Sequence, residues 1–138
     1  MVLDTNVLSE VLKPFPLPRV LRWLAEQEPT AVFTTSVTAA EILYGVEVLP
    51  AGRRRSALLS ACEKILYEEF AGRILPFDEA AARVYPKIVG ARRAAGLPIS
   101  QFDAMIAAIA RSQRAALATR NTSDFAHCGL RLIDPWAS

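Results

Sequence analysis

Short apolar runs alternate along this chain with longer segments in which apolar residues recur at helical spacing. A short, continuous apolar run is typical of a strand that is covered on both faces, as in a parallel sheet. The pattern therefore predicts five strands, of which the last is the weakest. They are predicted over residues 1–3, 31–35, 73–77, 115–119 and 130–133.

Helical segments occupy the intervals between these strands. Strands that alternate with helices build βαβ units, in which helices cover both faces of a parallel sheet. The chain is therefore predicted to form one three-layer α/β/α domain over residues 1–138, with a parallel sheet of about five strands. The helices are predicted over residues 5–12, 18–28, 36–49, 53–70, 79–95 and 100–113.

Particular residues determine the ends and faces of these helices. Pro18 suits the first position of a helix, and Asp78 suits the cap that precedes one. Ser36 or Thr38 is predicted to cap the third helix. The fourth helix is predicted to bury an apolar face formed by Leu58, Leu59, Cys62, Ile65 and Leu66.

Composition and charge argue against several classes of protein. With 138 residues, of which 52% are apolar, the chain can bury a continuous core. Its net charge of +2 is too small to indicate nucleic-acid binding by itself. Cys62 and Cys128 lie far apart, which argues against a disulfide framework, a zinc ribbon or a redox motif. His127 is the only histidine, and its polar surroundings near the end of the chain argue against a catalytic triad.

No membrane segment is predicted. The apolar runs are far shorter than the roughly 20 residues that a transmembrane helix needs. The start of the chain also has no basic segment followed by an apolar core, as a signal peptide would have. We therefore expect a cytoplasmic protein with no membrane partner.

Asp4 follows the first predicted strand directly. In open α/β sheets, ligands bind at the carboxyl ends of the strands, so an acid at this position is a candidate for a functional site. The alternative interpretation is that Asp4 only caps the helix that begins after it. Asp4 alone does not distinguish a helix cap from a functional site, so other polar residues must be predicted at the same sheet edge.

Glu41 and Asp103 lie on helix faces that the pattern predicts to be apolar and inward. A buried carboxylate is unfavourable unless it is paired, hydrogen-bonded or bound to a metal. The alternative for Glu41 is a half-buried acid without a special role, and the alternative for Asp103 is a capping box with Ser100. The residues on the same faces are Val37, Tyr44, Gly45 and Val48 for Glu41, and Ile106, Ala107 and Ala110 for Asp103.

A polar segment that contains Asn121 and Asp124 follows the fourth predicted strand and should emerge at the same sheet edge as Asp4. It is either an ordinary turn or part of the same site. Several carboxylates packed together raise one another's pKa, and a divalent cation removes this repulsion. Oxygen ligands without His or Cys favour Mg²⁺ or Mn²⁺, and such sites commonly cleave phosphodiesters.

Four motifs in this order resemble the PIN-domain family, and within it the VapC toxins of bacterial toxin–antitoxin pairs. They are an apolar residue followed by Asp-Thr-Asn at residues 3–6, and the segments at residues 36–42, 103–108 and 118–121. Residues 72–78 and 134–136 are similar to the FitB branch of these toxins. The resemblance covers essentially the whole chain.

The resemblance implies a five-stranded parallel α/β/α fold and a Mg²⁺- or Mn²⁺-dependent endoribonuclease. Asp4, Glu41 and Asp103 match the three core acids of the family. Asp4 and Asp103 would be the principal metal ligands, and Glu41 would hold the metal directly or through water, or help to activate the nucleophile. Supporting hydrogen bonds would come from Thr5, Asn6, Ser36 and Thr119.

The chain departs from the family at one position of the site. The family often has a fourth acid in the turn after the fourth strand, where this chain has Asn121. Asp124 follows three residues later and is the candidate for the missing charge. Because an amide oxygen supplies less charge than a carboxylate, we expect at most one tightly held ion without substrate.

The resemblance also implies partners. They are an RNA substrate, a second copy of the chain in a homodimer, and a cognate antitoxin of the VapB or FitA kind. The antitoxin would insert a C-terminal segment into the acidic pocket, and its N-terminal domain would bind operator DNA. The basic run at residues 53–55 either contacts RNA phosphates or is a solvated helix start.

Two other functions compete with a ribonuclease. One is a catalytically weak PIN-fold subunit that acts mainly through a DNA-binding antitoxin; Asn121 favours this interpretation, and the three acids oppose it. The other is a phosphotransfer protein that is phosphorylated on Asp4. A phosphatase of that type needs a second Asp two residues later, where this chain has Asn6, and a receiver domain needs an acid pair on its first strand.

Overall fold

A parallel sheet forms the centre of the protein, which we describe from a computed structural model covering residues 1–137. Its strands in this part of the chain are β1 (Val2–Leu3), β2 (Thr34–Thr35), β3 (Ile74–Leu75), β4 (Leu117–Ala118) and β5 (Leu132–Ile133). β4 pairs with both β1 and β5, and β2 pairs with β3, always in parallel register. All five predicted strands are therefore confirmed, although each is only two residues long.

A single bridge joins the two parts of the sheet. Val2 pairs in parallel with Phe33, just before β2. The Leu3 N–H donates to the Phe33 carbonyl at 2.8 Å, and the Phe33 N–H donates to the Met1 carbonyl at 2.9 Å. The strands therefore lie in the order β3-β2-β1-β4-β5, which places β1 at the centre.

Helices cover both faces of this sheet, as the sequence predicts. Val2 and Leu3 are adjacent on β1 and belong to different core clusters, because successive strand side chains point to opposite faces. One cluster contains Val7, Trp23 and Ile42, and the other contains Ile88, Ile106 and Ile109. The helices of the described residues are α1 (Thr5–Val11), α2 (Pro18–Ala25), α3 (Ser36–Glu47), α4 (Arg53–Glu63), α5 (Glu79–Ala94) and α6 (Gln101–Ser112).

Local capping explains where these helices begin. Pro18 is the first residue of α2, and the Asp78 side chain accepts a hydrogen bond from the Ala81 N–H, as predicted. The cap of α3 is Thr35, whose hydroxyl oxygen accepts from the Thr38 N–H at 3.0 Å. The prediction of Ser36 or Thr38 as this cap is wrong, because β2 ends at Thr35 and the helix begins at the next residue.

The segment predicted as one helix over residues 53–70 has two parts. It is α-helical to Glu63 and continues as a π-helical turn over Lys64–Glu69. Cys62 and Leu66 are buried, whereas Leu59 is 39% exposed, so the predicted inward position of Leu59 is wrong. The buried face follows a spacing of four residues, and Leu59 lies about 100° round the helix from Leu58.

The helices of the described residues are all too short or too polar to cross a membrane.

Candidate active site

Asp4 lies at the point where the central strand β1 turns into α1. Its N–H donates to the Ala118 carbonyl at 2.9 Å, which continues the pairing with β4. One carboxylate oxygen accepts from the Thr5 N–H at 2.8 Å, and the other accepts from the Thr119 hydroxyl at 2.8 Å. Asp4 and Thr119 are both buried. Asp4 therefore caps α1 and also lies at the sheet edge, so both interpretations of this residue describe part of its role.

A pocket of about 360 Å³ opens at this edge. The structure brings the three predicted acids together around it, although they are far apart in the sequence. They arrive from the end of β1, from α3 and from the first turn of α6. Asp4, Glu41 and Asp103 all line the pocket, together with Thr5, Asn6 and Asn121.

Glu41 is held by a hydroxyl from the neighbouring helix. The Thr5 hydroxyl donates to a Glu41 carboxylate oxygen at 2.8 Å, and it lies 3.0 Å from the Thr38 hydroxyl. Glu41 is half-buried, but Tyr44 and Val48 on the same predicted face are 70% and 60% exposed. That face is not wholly inward. The buried face of α3 is centred elsewhere, on Ala39, Ile42 and Val46.

Asp103 combines a capping role with a place in the pocket. The Asp103 N–H donates to the Ser100 hydroxyl oxygen at 3.1 Å, and the Ser100 side chain also bonds to the Asp103 carboxylate. Burial raises the pKa of Asp103, and the bond from Ser100 opposes that shift. The Ser100 side chain therefore supplies the N-cap half of the predicted capping box, and it orients an acid that also lines the pocket.

The pKa of Asp4 is raised to about 6, chiefly because burial disfavours the charged carboxylate. The hydrogen bonds from Thr119 and Thr5 oppose the shift, and the negative charges of Asp103 and Glu41 add to it. The three carboxylates are therefore close enough to repel one another. A cation in the pocket would reverse this effect and favour ionised Asp4.

The donor chemistry of the pocket fits a hard divalent cation. Its acids offer only oxygen ligands, which suit Mg²⁺ or Mn²⁺. Within residues 1–137, no three His, Cys, Asp or Glu side chains are grouped closely enough to hold one ion together. Because Mg²⁺ is usually held by one or two carboxylates with water as its other ligands, a pair of these acids is sufficient.

The predicted supporting residues are only partly in place. The Asn6 amide donates to the Thr119 hydroxyl oxygen at 3.4 Å, and its carbonyl oxygen accepts from the Arg120 N–H at 3.3 Å. Thr5 holds both Asp4 and Glu41. Ser36 is exposed and does not line the pocket. Thr38, which the sequence did not identify as a site residue, contacts Thr5 instead.

The two candidates for the fourth position occupy different places. Asn121 lines the pocket, and its N–H donates to the Thr119 hydroxyl oxygen at 3.1 Å. Asp124 is exposed and lies outside the pocket lining, in a 3₁₀ turn over Thr122–Phe125. Its charge is nevertheless close enough to raise the pKa of Asp103. The geometry therefore associates Asn121 with the pocket and Asp124 with Asp103.

Five further residues line the pocket that the sequence did not identify as site residues: Ser9, Glu10, Lys13, Arg120 and Trp136. Glu10 is only 6% exposed, and the hydrogen bond from Lys13 is the main reason that the pKa of its carboxyl is lowered. The sequence did contain a signal for the burial of Glu10. It lies three residues after Val7 and three before Lys13, so it shares a helix face with an apolar residue and can pair with a cation. Trp136 is far away in the sequence, and nothing in the local pattern connects it with Asp4.

The chain is similar to known proteins over nearly its whole length. The sequence model of the PIN domain matches residues 1–129. VapC ribonuclease Y4jK of Sinorhizobium fredii is 38% identical over 136 residues, which cover 99% of this chain and 97% of that protein. Toxin FitB of Neisseria gonorrhoeae is also 38% identical over 136 residues, covering 99% and 98%. A chain in a structure of FitAB bound to an IR36 DNA fragment superposes with a TM-score of 0.92 at 38% identity, covering 98% of this chain and 94% of that one.

Proposed function

Because this chain belongs to the PIN-domain family, we propose that it is a Mg²⁺- or Mn²⁺-dependent endoribonuclease and the toxin of a toxin–antitoxin pair. The observation that carries the proposal is the pocket in which Asp4, Glu41 and Asp103 meet and the pKa of Asp4 is raised to about 6. The names of two relatives, VapC ribonuclease and toxin FitB, support the choice of RNA and the role of toxin.

The acids would hold the metal, and their neighbours orient them. Asp4 and Asp103 are the proposed principal ligands, with Glu41 as a further ligand through water. A bound ion would activate a water molecule for attack and neutralise charge on the scissile phosphate. The Thr119 hydroxyl and the Thr5 N–H hold the Asp4 carboxylate, and the Thr5 hydroxyl holds Glu41. These bonds restrict both carboxylates to positions that line the pocket.

A cognate antitoxin and a second copy of the chain are the proposed partners. The superposed FitAB structure contains DNA, and we assign DNA contact in the present system to the antitoxin. A basic side chain of the antitoxin would find counter-charges in the pocket formed by Asp4, Glu41 and Asp103. Copurification with the protein encoded by the neighbouring gene, followed by light scattering with and without that protein, tests both partnerships.

Cleavage of total RNA by purified, antitoxin-free protein tests the proposed activity. We expect cuts at a few discrete positions with Mg²⁺ or Mn²⁺, and none with chelator. Asp4→Asn should abolish them, whereas Asp78→Asn should not, because Asp78 is an exposed cap outside the pocket. Equal cleavage by Asp4→Asn and the parent would refute the site assignment.

Asn121 supports a second candidate, a catalytically weak subunit that acts mainly through its antitoxin. An amide replaces the fourth acid that the family often has, so the pocket carries less negative charge for a metal. Well-folded protein that cuts no RNA with either metal, yet forms a DNA-binding complex with its antitoxin, would favour this candidate.

A further inference from the structure

A second groove of about 720 Å³ adjoins the pocket of the proposed active site. The two cavities share Glu10, Lys13, Arg120 and Trp136. Beyond these shared residues, the groove is lined by the connection between α1 and α2, which contains Phe15. The groove therefore lies directly beside the acidic pocket, and the same four residues border both cavities.

The connection between α1 and α2 displays an aromatic ring to solvent. Phe15 is 94% exposed, although it belongs to a segment that is restrained at both ends. One Glu10 carboxylate oxygen accepts from the Lys13 ammonium at 2.9 Å, and the other accepts from the Leu17 N–H at 3.0 Å. Prolines at positions 14, 16 and 18 further limit the backbone. The exposure of Phe15 is therefore built into a held loop.

The groove is also lined by a second aromatic ring and a cation. The Arg120 guanidinium lies over the Trp136 ring at 5.4 Å from its centroid. The Trp136 carbonyl accepts from Arg19 at 2.7 Å, and its N–H donates to Asp134 at 2.9 Å, so its backbone is held on both sides. At the boundary between the groove and the acidic pocket, the Lys13 ammonium is paired with the Glu10 carboxylate, and Arg120 supplies the remaining positive charge.

We propose that this groove binds a nucleotide of single-stranded RNA next to the scissile phosphate. This inference rests on the proposed ribonuclease function. The base would stack on Phe15, and Arg120, which lies over the Trp136 ring, would contact the adjoining phosphate. Aromatic rings and guanidinium planes are the groups on which proteins stack unpaired bases, whereas bases within a duplex are not available for such contacts. The positive charge of Arg120 and the position of the groove beside the pocket favour RNA over an apolar protein segment.

Binding measured in chelator tests this proposal without depending on catalysis. The probe is a fluorescein-labelled, mixed-sequence RNA of 12 nucleotides, alone or paired with its complement, and the readout is fluorescence anisotropy. Phe15→Ala should weaken binding of the single strand about tenfold, since loss of one stacked base is commonly of that order. Tyr67→Ala, which removes an exposed ring outside the groove, should bind within twofold of the parent.

Charge and strandedness provide two further readouts. Arg120→Gln should weaken binding of the single strand and reduce its salt dependence, whereas Lys87→Gln, at an exposed position on α5, should change neither. Phe15→Ala should leave binding of the duplex within twofold of the parent. With Mg²⁺, Phe15→Ala should cut total RNA at the same positions as the parent. On an RNA that carries one of these sites, the variant should have a raised KM and a nearly unchanged kcat.

Two results would overturn the proposal. One is binding of the single strand by Phe15→Ala as tight as that of the parent, and the other is failure of the parent to bind it. If Phe15→Ala keeps RNA binding but loses a second copy of the chain or the antitoxin, the groove is a protein-binding surface. Absence of metal-dependent cleavage by a parent that binds RNA through Phe15 would refute the proposed ribonuclease instead, so the two failures are distinguishable.

Discussion

At the residue scale, the Asp4 side chain both caps α1 and lines the pocket of the proposed active site. Its two carboxylate oxygens accept from Thr5 and Thr119, and the same carboxylate lines the pocket beside Glu41 and Asp103. Asn is a good helix cap and carries no charge. Asp4→Asn therefore separates the structural role of this residue from its proposed role with a metal.

Asp4→Asn should be at least as stable as the metal-free parent at pH 7.5. The pKa of Asp4 is about 6 in the folded protein and near 3.8 when unfolded, so the folded state binds this proton more tightly. Ionisation of Asp4 therefore lowers the free energy of unfolding by its full amount above pH 6 and has no effect on it below about pH 4. We expect a gain of up to about 2 kcal/mol in the free energy of unfolding at pH 7.5, measured by urea titration in chelator.

The pH dependence provides the control for that measurement. The difference between Asp4→Asn and the parent should shrink as the pH falls from 6 to 4, because the parent's carboxyl then becomes neutral. A variant that is less stable than the parent by the same amount at both pH values would show that lost hydrogen bonds, and not relief of charge, dominate its stability.

Asn121 and Asp124 can be distinguished by single substitutions. Asn121 lines the pocket and Asp124 does not, so Asn121→Ala should lower cleavage by about tenfold or more and Asp124→Asn by only a few-fold, since a positioned polar group commonly contributes factors of this order. Initial rates on one identified RNA site check this. A large loss in Asp124→Asn would make Asp124 the substitute for the fourth acid.

At the element scale, the start of α6 presents Asp103 to the pocket. The Ser100 hydroxyl bonds to the Asp103 N–H and carboxylate, so the same contact begins the helix and orients the acid. The start of α1 repeats this arrangement with Asp4 as both cap and pocket residue. Each of these two helices therefore brings an acid to the pocket in its capping turn.

Ser100→Ala should weaken this arrangement in two ways. Loss of the cap should lower the free energy of unfolding by about 1 kcal/mol. Loss of the bond to the Asp103 carboxylate should raise the pKa of Asp103 further, because that bond now opposes the effect of burial. Urea titration measures the first effect, and NMR titration of the carboxyl carbon measures the second.

Ser60→Ala is the matched control, since Ser60 is an exposed position within α4. It should leave both quantities unchanged. A pKa for Asp103 that is the same in Ser100→Ala and the parent would show that Ser100 caps the helix without acting on the carboxylate.

At the scale of the whole molecule, Arg92 connects α5 with two turns near the site. Its guanidinium donates to the carbonyls of Ser123 and Ala126 at 3.2 and 2.9 Å, and to that of Pro98 at 3.1 Å. Arg92 is buried, and its Nε has no hydrogen-bond partner among the described residues. The turn after β4 and the loop before α6 are therefore held by one side chain.

Arg92→Leu should destabilise the protein by about 2–4 kcal/mol, because three partly buried hydrogen bonds from a buried guanidinium to backbone carbonyls would be lost. The measurement is urea unfolding followed by circular dichroism. Arg93→Leu, at the exposed neighbouring position, should change stability by less than about 0.5 kcal/mol. A small effect in Arg92→Leu would mean that water replaces the guanidinium at these carbonyls.

The sequence by itself determined the order of the strands and helices, and it identified the three acids, Asp4, Glu41 and Asp103, that line the pocket. Apolar runs and helical periodicity are local properties, so they located all five strands, and likeness to the FitAB chain confirms the predicted fold. Asp4 and Asp103 were identifiable because each stands at an element end that the local pattern reveals. The resemblance to PIN domains came from short motifs around the same residues.

Only the tertiary structure decided which side chains meet. Thr119 reaches Asp4 because β1 and β4 are neighbours in the sheet, and Trp136 borders the pocket because the chain returns there after β5. The held position of Phe15 depends on the buried Glu10 carboxylate. These contacts depend on strand order and on the packing of distant segments, and a local sequence pattern contains no information about either.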